Sequence, residues 1–243
     1  MRVLVILPVY NEENNLKRLI LEILGINDHL KILIIDDCSL DKSVEIIKSF
    51  RRENPDRIFV ISQPKHSGRG SVIKEGYKFA VDNNFEFLIE MDSDFSHRPT
   101  DIPLLLKEAS MVDIVIGSRL IRGGYIRGRS FLRNLITYLA NIYLRFILGL
   151  REIHDLTSGF RCINVDFLGR IEIRQLESNG PQLLQEIIFK NKHRIHIKET
   201  PIIFENRYLG KSKFSLFIIL KSLWLPLFWR IENLWRVSVL NIF

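Results

Sequence analysis

Up to Arg119 the chain alternates short, β-branched apolar runs with segments of helical spacing, and few architectures accept that order. Val3–Pro8, Ile32–Asp36, Ile58–Ser62, Phe87–Met91 and Ile114–Gly117 read as strands. Between them Asn14–Leu24, Lys42–Arg52, Ser71–Asn83 and Ile102–Ala109 read as helices. The strand runs are apolar almost throughout, which suits a parallel sheet covered on both faces and joined by right-handed crossovers. The expected class is α/β, an open and mostly parallel sheet with flanking helices. In such sheets ligands lie beyond the carboxyl ends of the strands, so the residues just past each run carry the functional expectation.

Past the fourth run stand Asp92-Ser93-Asp94. Two carboxylates on one side of an extended backbone repel unless a cation sits beside them. Hard oxygen donors with an incomplete shell suit Mg²⁺ or Mn²⁺ completed by phosphate oxygens. Asp36-Asp37, past the second run, is placed to accept from a base or ribose. Pro8, Tyr10 and Glu12 form the first strand-to-helix turn, where Tyr10 can stack on a base. His66-Ser67-Gly68-Arg69-Gly70 is a glycine-rich loop whose amides can approach an anion. No G-x-G-x-x-G follows the first strand and no Walker loop occurs, which argues against a dehydrogenase and an NTPase. His193 and His196 have no second metal pair and read as structural.

The 243 residues carry a formal charge of +7, and its distribution says more than its size. Arg119 to Arg151 contains seven arginines and no acid, whereas the first hundred residues are rich in carboxylates. Within the basic half, Leu132, Leu135, Ile136, Leu139, Ile142, Tyr143, Phe146 and Ile147 recur at helical spacing, predicting a helix over about 131–148. Arg129, Arg133, Thr137 and Asn141 form a second stripe, four apart, which suits an anionic surface or a phosphate. Residues 214–243 are the most apolar, yet Lys221, Pro226, Arg230, Glu232 and Arg236 interrupt them. With Trp224, Trp229 and Trp235 they fit a membrane-interface tail, a buried helix pair being the alternative. Cys38 and Cys162 are too few for a disulfide framework, and Val3–Val9 is too short for a signal peptide, so a reducing compartment is expected.

Six motifs stand in the order seen in dolichol-phosphate mannose synthases: Pro8–Glu12, Ile35–Ser39, Met91–His97, Gly117–Arg119, Thr157–Arg161 and Tyr208–Lys213. The chain resembles that family, inverting glycosyltransferases with the Rossmann-like GT-A fold, from Met1 to about Lys221. The resemblance implies a catalytic domain over 1–213 that transfers mannose from GDP-mannose to a dolichyl or polyprenyl monophosphate. It implies that Pro8, Tyr10, Glu12, Ile35, Asp37 and Asp92 bind the nucleotide. Asp92 and Asp94 match the metal pair, with Ser96 where some members carry glutamine. Arg119, Arg133 and Thr137 match acceptor-phosphate positions, and Arg207 and Lys213 match contacts to the donor diphosphate. Asp41 is followed by Lys42-Ser43 rather than Gly-Thr, a departure in the turn only. The implied state is the short, peripheral type on the cytoplasmic face of a membrane, with a small anchor subunit as a candidate partner and no nucleic acid.

The chemistry closes without a protein base, because a phosphomonoester with a second pKa of about 6 arrives largely ionised and is its own nucleophile. Glucose from UDP-glucose is the alternative donor. A non-catalytic membrane- or RNA-binding module has no need of Asp92 and Asp94. A glycoside hydrolase needs carboxylates flanking the sugar, and these two are too close in sequence.

Overall fold

Strand β1 (Val3–Val9) is the spine of the molecule, and six of its seven residues are buried. Its alternating side chains feed two cores: Leu4 and Ile6 enter one, Val3, Val5 and Leu7 the other. A strand buried on both faces must be flanked by strands and covered by helices. It pairs in parallel with β2 (Leu30–Asp36) and β4 (Phe87–Glu90), and β2 pairs in parallel with β3 (Ile58–Ser62). The computed structural model describes residues 1–206 and 222–232.

Helix α1 (Glu13–Leu24) buries Leu16, Leu19, Ile20 and Ile23, the one-face spacing of an amphipathic helix. α2 (Ser43–Glu53) buries Ile47 and Phe50. α3 (Arg69–Asp82) lies close on the opposite face: a Cβ on Gly76 would stand 2.4 Å from Ile6 Cδ1. α4 (Ile102–Ala109) leads to β5 (Ile114–Ser118). All five expected strands and all four helices are present, with ends within three residues of their expected positions.

Among the described residues the sheet holds seven strands in the order β3-β2-β1-β4-β7-β5-β8. β7 (Arg161–Asn164) is antiparallel to both β4 and β5, and β8 (Ile197–Pro201) runs parallel to β5. β6 (Tyr125–Arg127) and β9 (Ile203–Glu205) form a separate parallel pair. The chain steps outward from β1 to β2 and β3 and then crosses back to β4 on the other side of β1, so a crevice opens at the carboxyl ends of β1 and β4.

α5 (Phe131–Leu148) matches its expected span and ends on Gly149, which takes the left-handed φ of 69° that closes a helix. Its polarity is inverted relative to an ordinary surface helix. Thr137, Asn141, Leu144 and Leu148 are buried, whereas Phe131 is 81% and Phe146 74% exposed, with Leu132, Leu139 and Ile142 also outside. α6 (Val165–Arg170) and α7 (Leu183–Asn191) complete the core that Leu4 and Ile6 enter. Residues 222–232 are helical and dock on α7, where buried Trp229 stacks on Phe189 at 6.4 Å. Within this stretch Trp229 packs inward while Trp224, Phe228 and Ile231 face outward. Trp235 lies outside the described residues.

Candidate active site

A cleft of about 860 Å³ opens beyond the carboxyl ends of β1 and β4. Of the expected residues, Pro8, Tyr10, Glu12, Asp37, Asp92, Asp94, Ser96, Arg119 and Arg133 line it. Ile35 does not. It is fully buried in the core on β2, so its side chain supports the sheet rather than the cleft. Thr137 is also absent from the wall, and Arg207 and Lys213 lie outside the described residues.

At one end, two strand-end loops brace each other. Asn11 and Cys38 hold left-handed φ values of 55° and 68°. The Asn11 amide donates to Ser39 Oγ and the Leu40 amide to Asn11 Oδ1. Asp41, just before the Lys42-Ser43 departure, accepts from the backbone amides of Glu13 and Ser43. Asp37 is buried and accepts from the Ser67 amide (2.7 Å), the Ser67 hydroxyl (3.0 Å) and the Gly68 amide (3.1 Å), with His66 Nδ1 2.8 Å away. The amides of Ser67 and Gly68 in the glycine-rich loop thus hold one of the protein's own carboxylates. Asp36 likewise accepts from the Ser39 amide. Tyr10 packs on the His66 ring, centroids 4.3 Å apart. Beyond this loop Gly70 meets the backbone of Asn179 and Gly180, where a Cβ would stand 2.4 Å from the Asn179 carbonyl carbon. Only glycine permits that approach.

The centre of the cleft is the β4 terminus. Ser93 Oγ donates to the Pro8 carbonyl and ties it to β1. Arg69 grips Asp92 Oδ1 through Nε and Nη2, both at 2.9 Å, and reaches Glu90 Oε1 through Nη1 at 2.9 Å. Fully buried Glu90 also accepts from Tyr77 Oη at 2.9 Å and Arg161 Nη1 at 3.1 Å. Burial alone raises the Asp92 carboxyl, but the Arg69 guanidinium outweighs it and holds it at about 2. The Asp92 amide donates to His97 Nδ1. Burial pushes that imidazole below the usual histidine range, against the pull of Asp92 and Asp94.

Asp94 Oδ1 accepts from the Ser96 amide (3.0 Å) and the Ser96 hydroxyl (2.6 Å). Ser96, expected as a metal contact, is seen orienting Asp94. Phe95 between them has a φ of 61°, an uncommon conformation for a bulky residue and a mark of an over-determined turn. The residues fit a divalent ion. Asp92 Oδ2 faces Gly159, where a Cβ would stand 3.0 Å from it, so the space beside that oxygen depends on glycine. Among the described residues no third His, Cys, Asp or Glu joins the pair. The protein thus offers a partial oxygen shell of the kind that phosphate oxygens complete.

The other end is cationic. Arg119 gives its amide (3.0 Å), Nε (2.7 Å) and Nη2 (2.7 Å) to Asp155, and Nη2 also donates to Thr157 Oγ1. Asn141 on α5 donates to the same hydroxyl and to the Thr137 carbonyl. Phe204 lies under two guanidiniums, those of Arg119 at 5.1 Å and Arg129 at 5.7 Å.

Residues 4–171 match Glycosyl transferase family 2. This chain belongs to that family. The glycosyltransferase is 32% identical over 216 residues to the polyprenol monophosphomannose synthase of Mycolicibacterium smegmatis, covering 88% of this chain and 81% of that one. It is equally 32% identical to the undecaprenyl-phosphate mannosyltransferase of Micrococcus luteus, over 88% of each chain. The dolichol-phosphate mannosyltransferase of Pyrococcus furiosus is 31% identical over 253 residues, with 100% of this chain and 69% of that one covered. Among solved structures, glucosyl-3-phosphoglycerate synthase from Mycobacterium tuberculosis, in complex with Mn²⁺, UDP-glucose and phosphoglyceric acid, superposes with a TM-score of 0.67. That likeness is 16% in identity over 94% of this chain and 79% of the other, and it establishes the GT-A fold.

Several working residues of this glycosyltransferase escape a reading of the sequence. Glu90 left one signal, a carboxylate closing an apolar run, and Arg69 sat in a loop whose glycines drew the attention. Phe204 gave none, since a Phe in the short apolar run Ile202-Ile203-Phe204 looks like any core residue.

Proposed function

We propose that this glycosyltransferase moves mannose from GDP-mannose to a polyprenyl monophosphate with inversion at the anomeric carbon. The observation that carries the reading is the juxtaposition in one cleft of the Asp92–Asp94 pair and the Arg119–Arg129–Arg133 cluster, roofed by a helix whose apolar side faces out. Such a cluster suits a phosphate dianion. The outward side of α5 with Trp224, Phe228 and Ile231 suits a bilayer surface. Among the described residues no helix is long and apolar enough to cross a membrane, in keeping with peripheral attachment, proposed for the cytoplasmic face.

Asp92 and Asp94 would hold Mg²⁺ or Mn²⁺, whose chemistry is to neutralise the departing diphosphate. The nucleoside lies toward Pro8, Tyr10 and Glu12, against the loop that Asp37 braces. Arg119 and its neighbours fix the acceptor phosphate in line with the sugar. One phosphate oxygen forms the new bond to C1 as the C1–O bond to the diphosphate breaks and its electron pair leaves with the nucleotide. No proton need be removed from the acceptor. Arg207 and Lys213 are proposed to contact the leaving diphosphate.

The test is hexose transfer to a short polyprenyl monophosphate with GDP-mannose and UDP-glucose in parallel and Mn²⁺ present. Mannosyl product of inverted configuration supports the reading, glucosyl product moves it to the alternative donor, and no lipid product with either donor overturns it.

A further inference from the structure

The resemblance places Thr137 on the acceptor phosphate, but its surroundings assign it another task. A threonine hydroxyl has one proton to give, and a phosphate dianion offers only acceptors. The proton of Thr137 Oγ1 goes to the Arg133 carbonyl at 3.0 Å, and its oxygen accepts from Arg129 Nη1 at 2.9 Å. Thr137 is buried and lies off the cleft wall, whereas Arg129 lines it.

Arg129 is half-buried, and among the described residues neither it nor Arg133 forms an ion pair with a carboxylate. Burial and the charges of Arg119 and Arg133 push its guanidinium below the usual arginine range. A desolvated cation beside like charges is costly unless an anion joins it. Two features keep it there. Thr137 holds one of its five donors, and the Phe204 ring, shared with Arg119, offers its electron-rich face to both cations. Arg119 is fixed from the other side, with Nε and Nη2 committed to Asp155 and Thr157.

We infer that Arg129 is a third guanidinium binding the acceptor phosphate, that Phe204 sets its spacing from Arg119, and that Thr137 is a positioning residue acting through Arg129. This rests on the proposed polyprenyl-phosphate reading.

The experiment measures kcat and KM for a short polyprenyl monophosphate, with donor-nucleotide binding, for the full chain and for R129Q, R129K, T137V, T137S, F204L and R129Q/T137V. If the wild type transfers no hexose to this acceptor, the reading of function has failed; the comparisons below apply once it does. Arg129→Gln should raise acceptor KM about ten- to a hundredfold with nucleotide binding unchanged, and Arg129→Lys should recover part of that. Phe204→Leu should raise acceptor KM about three- to tenfold. Thr137→Val should raise it while Thr137→Ser does not, and in the Arg129→Gln background Thr137→Val should add nothing. Acceptor KM within twofold of wild type in Arg129→Gln, or an equal loss of nucleotide binding there, overturns the role of Arg129. An undiminished effect of Thr137→Val in that background overturns the positioning role.

Discussion

The two ends of the cleft handle charge in opposite ways. In the carboxylate half the charges are matched within the fold: Asp37 by loop amides, Asp92 by Arg69, Glu90 by Arg69, Arg161 and Tyr77. In the arginine half, among the described residues, Arg119 is paired with a carboxylate while Arg129 and Arg133 are not, and Arg129 stands instead over the Phe204 ring. The first half is preorganised, its geometry set before any ligand arrives. The second is left cationic, and its surplus charge suits an anion such as the phosphate of the proposed acceptor.

The sharpest way to break that contrast is to neutralise the centre. Asp94→Asn should lower hexose transfer by about a hundred- to a thousandfold while the fold, judged by circular dichroism, persists. Next in size is Arg69→Met, which leaves buried Glu90 with one cation and frees Asp92. Removing one partner of a buried pair predicts a loss of about 3–5 kcal/mol in a denaturant titration, whereas Arg133→Gln at the exposed cleft mouth should stay within about 0.5 kcal/mol.

Acidification probes Asp155, the carboxylate paired with Arg119 at the cationic end. Burial raises Asp155, yet Arg119 outweighs it and holds the group below its ordinary 3.8. As pH falls the unfolded chain therefore takes up this proton first, so the stability the pair contributes is present above about pH 4 and is lost below it. Denaturant midpoints for wild type and Asp155→Asn between pH 3 and 6 should converge on the acid side; parallel lines would count against the pairing. The smallest effect on folding is expected on the outside of α5. Phe131→Ser with Phe146→Ser should change stability by no more than about 0.5 kcal/mol but reduce sedimentation with anionic vesicles.

The same contrast decides what could be read from the chain. β1 to β5 were legible because strands buried on both faces carry runs of Val, Ile and Leu. β7 was not, because Arg161 and Asn164 break its run, and only the fold reveals that Arg161 is neutralised by Glu90. Asp92, Asp94 and Arg119 were legible as charges at strand ends. Ile35 was carried over with its motif but turned into the core, since alternation along β2 sends it there. Partners such as Phe204 and Arg129 meet only through the pairing of β6 with β9, which no local pattern announces.

The contact of Gly70 with Asn179 and Gly180 has one further consequence. Main chain abuts main chain there, with the Gly70 amide donating to the Asn179 carbonyl at 3.0 Å, so the two walls cannot part at that end without leaving an amide of the first turn of α3 without its acceptor. Of the described residues, the short β6–β9 ribbon rather than a main-chain seam of this kind borders the opposite, cationic rim, so that rim is the one free to adjust to what the cleft binds.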